Sequence, residues 1–178
     1  MRDERTIKLL CTKGIALSKV VIFGNSGSGK TTLAKELALK NNLAHLDLDT
    51  VAWRPIAPPE RLSISESSKL INDFLSTNSS WVIEGCYSDL LELVTQKADE
   101  VIFLNLPVSA CIKNAKNRPW EPHKYESKEA QNANLEMLID WISQYTTRTD
   151  TFSKVAHEKL FEDFQGKKTM YVSNEQRT

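Results

Sequence analysis

Apolar positions in this chain alternate between short dense runs and longer stripes spaced three or four residues apart. Lys19-Val20-Val21-Ile22-Phe23 is apolar and β-branched almost throughout, which predicts a central parallel strand covered on both faces. Leu33, Ala34, Leu37 and Ala38 then mark the inner stripe of a helix over 29–40. Asn41-Asn42 stops that helix, because asparagine tolerates the left-handed cap position. Residues 43–49 read as a second strand that runs into acids, and Pro55, Pro58 and Pro59 break regular structure after it. Ser63 and Glu66 have capping-box spacing ahead of a helix with Ile64, Ser68, Ile71, Phe74 and Leu75 on one side. Trp81-Val82-Ile83 is a third strand ending at Glu84-Gly85, and Leu90, Leu91 and Val94 predict a short helix. Residues 101–106 form a fourth strand, and Pro107 suits the first turn of a helix carrying Val108, Cys111, Ile112 and Ala115. The segment 118–125, with two prolines, is irregular. Leu135, Leu138, Ile139, Ile142 and Tyr145 fall at helical spacing beyond it. A last helix over 152–164, stopped by Gly166, precedes a fifth strand over 168–172. Strands alternating with helices imply an α/β fold: a parallel sheet with right-handed crossovers and helices on both faces.

One connection carries more information than the others. Between the first strand and the first helix stands Gly24-Asn25-Ser26-Gly27-Ser28-Gly29-Lys30-Thr31, followed by Thr32. The pattern G-x-x-x-x-G-K-T between a strand and a helix describes a phosphate-binding loop. Its glycines let the backbone wrap an anion, and its N–H groups form a nest at a helix start whose dipole also favours negative charge. Lys30 reaches toward the outer phosphates of a nucleotide, and the Thr31 hydroxyl suits Mg²⁺. ATP and Mg²⁺ are therefore the expected ligands.

Composition narrows the class. The 178 residues suit one domain, and 40% hydrophobic with 26% charged residues is ordinary for a globule. A formal net charge of zero and the absence of a long apolar run argue against a general nucleic-acid or membrane surface. Cys11, Cys86 and Cys111 are odd in number and far apart, as expected of reduced cytoplasmic thiols. Residues 1–18 lie outside the first strand–helix unit and read as an N-terminal extension to a domain over 19–178, with a lid around 118–148.

In an open parallel sheet, ligands gather beyond the carboxyl ends of the strands. There the second strand offers Asp47 and Asp49, and the third offers Glu84. Asp47 is the candidate for a water-mediated metal contact. Asp49 is the candidate for holding the acceptor or taking its proton, and Glu84 is open to either role. Arg118 and Arg148 flank the lid and are candidate cations for the transferring phosphoryl group, while Arg54 stands on the acceptor side. Trp53, Tyr87, Trp120 and Tyr125 are candidates to line an acceptor pocket, and Trp81 reads as core. His45, His123 and His157 have no metal spacing and are expected to pack or face solvent. Cys86 is expected to be an inert thiol.

Taken together, the loop, the segment Leu48-Asp49-Thr50-Val51-Ala52-Trp53-Arg54-Pro55, the segment Trp81-Val82-Ile83-Glu84-Gly85-Cys86-Tyr87, and Trp141-Ile142-Ser143-Gln144-Tyr145 leading to Arg148 resemble the small-molecule P-loop kinases of the adenylate kinase and shikimate kinase group. More closely, they resemble bacterial proteins labelled adenylate-kinase-like or DNA topology modulation protein. The resemblance implies a P-loop NTPase fold, a three-layer α/β/α domain with a five-stranded parallel sheet in the order 2-3-1-4-5. Asp47-x-Asp49 is similar to the D-x-D of shikimate kinases, in which the first acid serves Mg²⁺ and the second the acceptor hydroxyl. Glu84-Gly85 sits where adenylate kinases have Asp-Gly. The Gly-rich acceptor segment of shikimate kinases is absent, and so is the arginine-dense lid of adenylate kinases, which argues against shikimate and AMP as acceptors. The expectation is ATP- and Mg²⁺-dependent phosphoryl transfer to a small hydroxylated or nucleotide-like acceptor. The alternative is a nucleotide-binding regulatory NTPase working through a protein or DNA partner.

Overall fold

A first strand that is apolar on both faces explains the layering. In the computed structural model, which describes residues 18–56, 58–122 and 126–177, strand β1 (Lys19–Gly24) buries Val20 and Ile22 in one apolar cluster and Val21 and Phe23 in another. Successive side chains of a strand point to opposite faces, so a run that is apolar throughout needs a cover on each side. The first face is covered by α1 (Lys30–Asn41), α5 (Val108–Asn117) and α7 (Leu135–Ser143), through Ala34, Cys111, Ala115 and Ile142. The second is covered by α3 (Ile64–Thr77), α4 (Ser88–Thr95) and α8 (Lys154–Asp163), through Ile71, Leu90, Leu91, Val94 and Leu160. Burying each large aliphatic or aromatic side chain contributes about 2 kcal/mol.

The remaining strands are β2 (Ala44–Asp47), β3 (Trp81–Gly85), β4 (Glu100–Leu104) and β5 (Lys167–Tyr171). All pair in parallel, in the order β2-β3-β1-β4-β5. This is the expected P-loop NTPase architecture. The first 17 residues of the expected N-terminal extension lie outside the described residues, as do His123 and Tyr125. Ser18 already joins the sheet, its carbonyl accepting the Trp81 N–H at 2.9 Å.

Local signals read from the sequence have clear physical counterparts. Asn42 ends α1 at φ 53°, and Ser63 and Glu66 form both halves of a capping box at the start of α3. The second strand departs from expectation. It ends at Asp47, and residues Asp49–Ala52 form a one-turn helix, α2. The cause is local: Asp47 Oδ1 accepts the Asp49 N–H at 2.9 Å, a side-chain bond that competes with the strand ladder. The segment expected to act as a lid has further elements, since a short helix α6 (Lys128–Ala133) precedes α7 and a 3₁₀ turn (Gln144–Thr146) follows it. The irregular segment before α6 is fastened by buried Gln131, which accepts from the Glu121 N–H at 2.8 Å and donates to the Pro119 carbonyl at 3.1 Å.

His157 is the one histidine wholly enclosed among the described residues, at 0% exposure. Its Nδ1 lies 2.8 Å from the Tyr145 hydroxyl and its Nε2 lies 3.0 Å from the Cys86 carbonyl. A neutral ring with hydrogen on Nε2 satisfies both contacts. Burial pushes its pKa down to about 4. The unfolded chain therefore binds this proton more readily than the fold does. Stability from His157 is complete above about pH 6.5 and is lost progressively as pH falls toward 4, a change of about 3 kcal/mol. Thermal melts from pH 7 to 4 are expected to show a falling Tm, with a shallower fall in His157→Gln.

Candidate active site

The phosphate loop follows from two backbone requirements. Gly29 stands at the N-cap of α1 with φ 86°, a left-handed conformation that suits glycine, and no side chain caps the helix start. Gly27 has φ 74°, and a Cβ there would sit 2.5 Å from the Cys111 carbonyl oxygen. The loop is thus pressed against α5 with its helix end open to an anion. Two side chains brace it. Asn25 Nδ2 donates to the Ile142 carbonyl at 3.1 Å, and Asn114 Nδ2 donates to the Gly27 carbonyl at 2.9 Å. Lys30 Nζ is folded back onto the Asn25 carbonyl at 2.9 Å, and the Ser28 hydroxyl oxygen is buried with no hydrogen-bond partner.

A cavity of about 700 Å³ opens over the loop. Ser26, Gly27, Gly29, Lys30, Thr31 and Thr32 line it from the loop and the first turn of α1. Asp47 and Glu84 line it from β2 and β3, Asp49 from the start of α2, and Arg118 from the C-cap of α5. Gly24, Asn25 and Ser28 are buried and support the loop from outside the lining. The volume falls in the usual range for a small-molecule site.

Parallel pairing of β2 with β3 sets Asp47 directly opposite Glu84. Glu84, 2% exposed, accepts the Thr31 hydroxyl hydrogen at 2.7 Å, and His45 Nε2 lies 3.7 Å from the same oxygen. No group of three His, Cys, Asp or Glu side chains among the described residues could hold a metal ion by itself. The donor set Thr31, Glu84 and Asp47 nevertheless fits Mg²⁺, which takes one or two carboxylates and draws its other oxygens from phosphates and water.

Trp53 and Tyr87, expected to line an acceptor pocket, are outside the cavity lining, but Tyr87 links Trp53 to Asp49, which is within it. The Tyr87 hydroxyl donates to Asp49 Oδ1 at 2.7 Å and accepts from Trp53 Nε1 at 2.7 Å. Burial, with the Asp49 charge next, pushes the Tyr87 phenol well above its usual range, so it stays a donor. Cys86 lines the cavity, and burial pushes its thiol up to about 12, which keeps it protonated and inert.

The cations are distributed unevenly. Arg118 lines the cavity and pairs with Glu121 at 3.1 Å. Arg148 is outside that lining: its guanidinium lies 3.6 Å from the centre of the Trp141 ring and pairs with Asp150 at 3.1 Å. Arg54 pairs with Glu66 at 2.7 Å, away from the lining. Trp81 is core at 1% exposure, and Trp120 is 44% exposed. Three residues near the site carry no sequence signal of their own. Asn114 and Asn174 pair through their amides beside the loop, and Arg61 pairs with Asp89 over the Tyr87 ring.

Against known proteins, residues 20–134 match the family AAA_18, described as an AAA domain. No curated protein matches the sequence. Among solved structures, a sugar kinase from Janibacter sp. HTCC2649 aligns at 13% identity over 90% of this chain and 89% of its own, with a TM-score of 0.51. The protein TT1252 from Thermus thermophilus aligns at 13% identity over 90% of this chain and 92% of its own, with a TM-score of 0.53. A shikimate kinase from Acinetobacter baumannii, solved with shikimate, aligns at 19% identity over 82% of this chain and 92% of its own, with a TM-score of 0.42. At such identities the likeness of the first two is one of fold.

Proposed function

This chain belongs to the AAA domain family, and from that footing we propose that it transfers the terminal phosphoryl group of ATP to a small hydroxylated or nucleotide-like acceptor. The observation that carries the reading is a cavity that a phosphate loop shares with Asp47, Asp49 and Glu84. A loop alone serves hydrolysis, sensing and transfer equally. A carboxylate set opposite it, at the edge of room for a second molecule, favours transfer.

In this reading the loop amides and Lys30 hold the triphosphate, and Lys30 exchanges its present bond to the Asn25 carbonyl for phosphate oxygens. Thr31, Glu84 and Asp47 hold Mg²⁺, which when bound supplies neutralising charge at the phosphates. Arg118 faces the transferring group from the lid. Arg148, assigned to the same task on sequence grounds, must first leave Trp141, and its part is secondary. Asp49 orients the acceptor hydroxyl and takes its proton. The lid excludes water, the competing acceptor.

The test is a screen of sugars, polyols, nucleosides and nucleotides for ATP consumption with Mg²⁺, products being identified by mass. The expected result is an acceptor carrying one added phosphate. ATP hydrolysed to free phosphate with every acceptor unmodified would replace transfer with the nucleotide-binding regulator.

A further inference from the structure

The acceptor's chemistry is narrowed by what surrounds Asp49, a deepening that rests on the transfer reading above. Asp49 lines the cavity, and the chain Trp53–Tyr87–Asp49 closes through two hydrogen bonds of 2.7 Å. Tyr87 is 3% exposed and Trp53 is 37% exposed. The Tyr87 ring is fixed by the edge of Phe152 at 5.2 Å and by the Arg61 guanidinium at 5.1 Å. The polar capacity of this pair is spent inside the protein: Trp53 has a single donor, already given to Tyr87, and the Tyr87 hydrogen is given to Asp49. Neither ring is part of the cavity lining, so what the pair offers an incoming molecule is the carboxylate of Asp49 within the cavity and, outside that lining, the exposed apolar indole surface of Trp53.

Charge points the same way. Asp47, Asp49 and Glu84 stand together at this end of the cavity. The arginines around this end are committed to acids, Arg118 of the cavity lining included, which pairs with Glu121 at 3.1 Å. Arg54 bonds Glu66, whose carboxylate also caps α3. Arg61 bonds both oxygens of Asp89 at 2.9 Å, and Arg148 pairs with Asp150 while stacked on Trp141. With Asp47 and Glu84 engaged by Mg²⁺ in the transfer reading, an anionic acceptor would still meet the Asp49 carboxylate and would have to pull an arginine from a partner that fixes it. A neutral acceptor meets neither obstacle.

We propose that the acceptor is a neutral polyhydroxylated ring or chain that gives one hydroxyl hydrogen to Asp49 and lays its C–H surface on Trp53, with Tyr87 as a positioning residue for Asp49. Its oxygen forms a bond to the terminal phosphorus of ATP as the bond to the β-phosphate oxygen breaks. ADP leaves with that electron pair, and the hydroxyl proton passes to the Asp49 carboxylate. This chemistry is shared by free sugars or polyols and by the ribose of an uncharged nucleoside.

The experiment uses the full chain with Mg²⁺ and ATP against three sets of probes: glucose, inositol, mannitol and glycerol; the uncharged nucleosides; and sugar phosphates with nucleoside monophosphates. Phosphorylated product is expected in the first or second set, which separates the two sources. Trp53→Ala is expected to act mainly on the acceptor KM, raising it about tenfold, with recovery in Trp53→Phe. Tyr87→Phe is expected to lower kcat about tenfold and leave the KM for ATP in place. Transfer confined to the third set, transfer to none of the neutral probes, or an acceptor KM indifferent to Trp53→Ala overturns the proposal. Calorimetry of wild type with Mg²⁺ and ATP separates the two levels: absent binding removes the transfer reading itself, whereas binding with the wrong acceptors removes only this inference.

Discussion

Lys30→Ala is expected to lower phosphoryl transfer roughly 10³-fold while leaving the circular dichroism spectrum unchanged. Two different environments explain the split. In the fold, the Lys30 ammonium makes a half-buried bond to the Asn25 carbonyl at 2.9 Å, and losing one such bond costs about 1 kcal/mol or less. In the proposed reaction it is the loop's cation on the phosphates where charge develops, and removing a preorganised donor there would cost about 4 kcal/mol of transition-state stabilisation. The α1 stripe that holds the fold, centred on Ala34, is untouched. Turnover that survives the substitution would remove Lys30 from the mechanism. A lost fold would mean that the bond to Asn25 does more than hold the lysine in waiting.

The second large effect is expected at Asp49. Asp49→Asn keeps the shape and keeps an oxygen for the Tyr87 hydroxyl to bond, but removes the charge and the capacity to take a proton. Acceptor phosphorylation is expected to fall roughly 10²–10⁴-fold, the usual range for losing a positioned base. The ATP dissociation constant is expected to change by no more than about threefold, because the metal-side donors Thr31, Glu84 and Asp47 remain. Steady-state rates compared with calorimetric titration of ATP and Mg²⁺ check this. If the two fall together, the division of labour between Asp47 and Asp49 is wrong, and both acids serve the nucleotide.

Elements and layers were legible because they depend on near neighbours. An apolar run such as 20–23 has to be covered on both sides, and Asn42 and the Ser63–Glu66 pair act within their own helix ends. The order of the strands came through family likeness and agrees with the sheet. The point at which β2 ends was missed because it depends on one carboxylate turning back two residues, which leaves no mark on the hydrophobic pattern. The site shows the same boundary. That the loop and the strand-end acids share one cavity follows from parallel topology. Their partners do not: Thr31 with Glu84, and Tyr87 with Asp49 and Trp53, are pairs brought together only by the sheet. Arg148 looked like a lid cation from its position after the aromatic segment. Its packing on Trp141 is a tertiary preference of guanidinium for an indole face that spacing cannot reveal. Arg61 and Asn114 carried no signal at all, since isolated polar residues in a loop or on a helix are usually solvated.

Isothermal titration calorimetry of the purified chain with ATP, with and without Mg²⁺, tests most directly whether the loop between β1 and α1 holds a triphosphate beside acids that serve a metal. One site per chain is expected, tighter with Mg²⁺ than without, and lost in Lys30→Ala. No heat of binding for ATP with Mg²⁺ in a folded sample would contradict it.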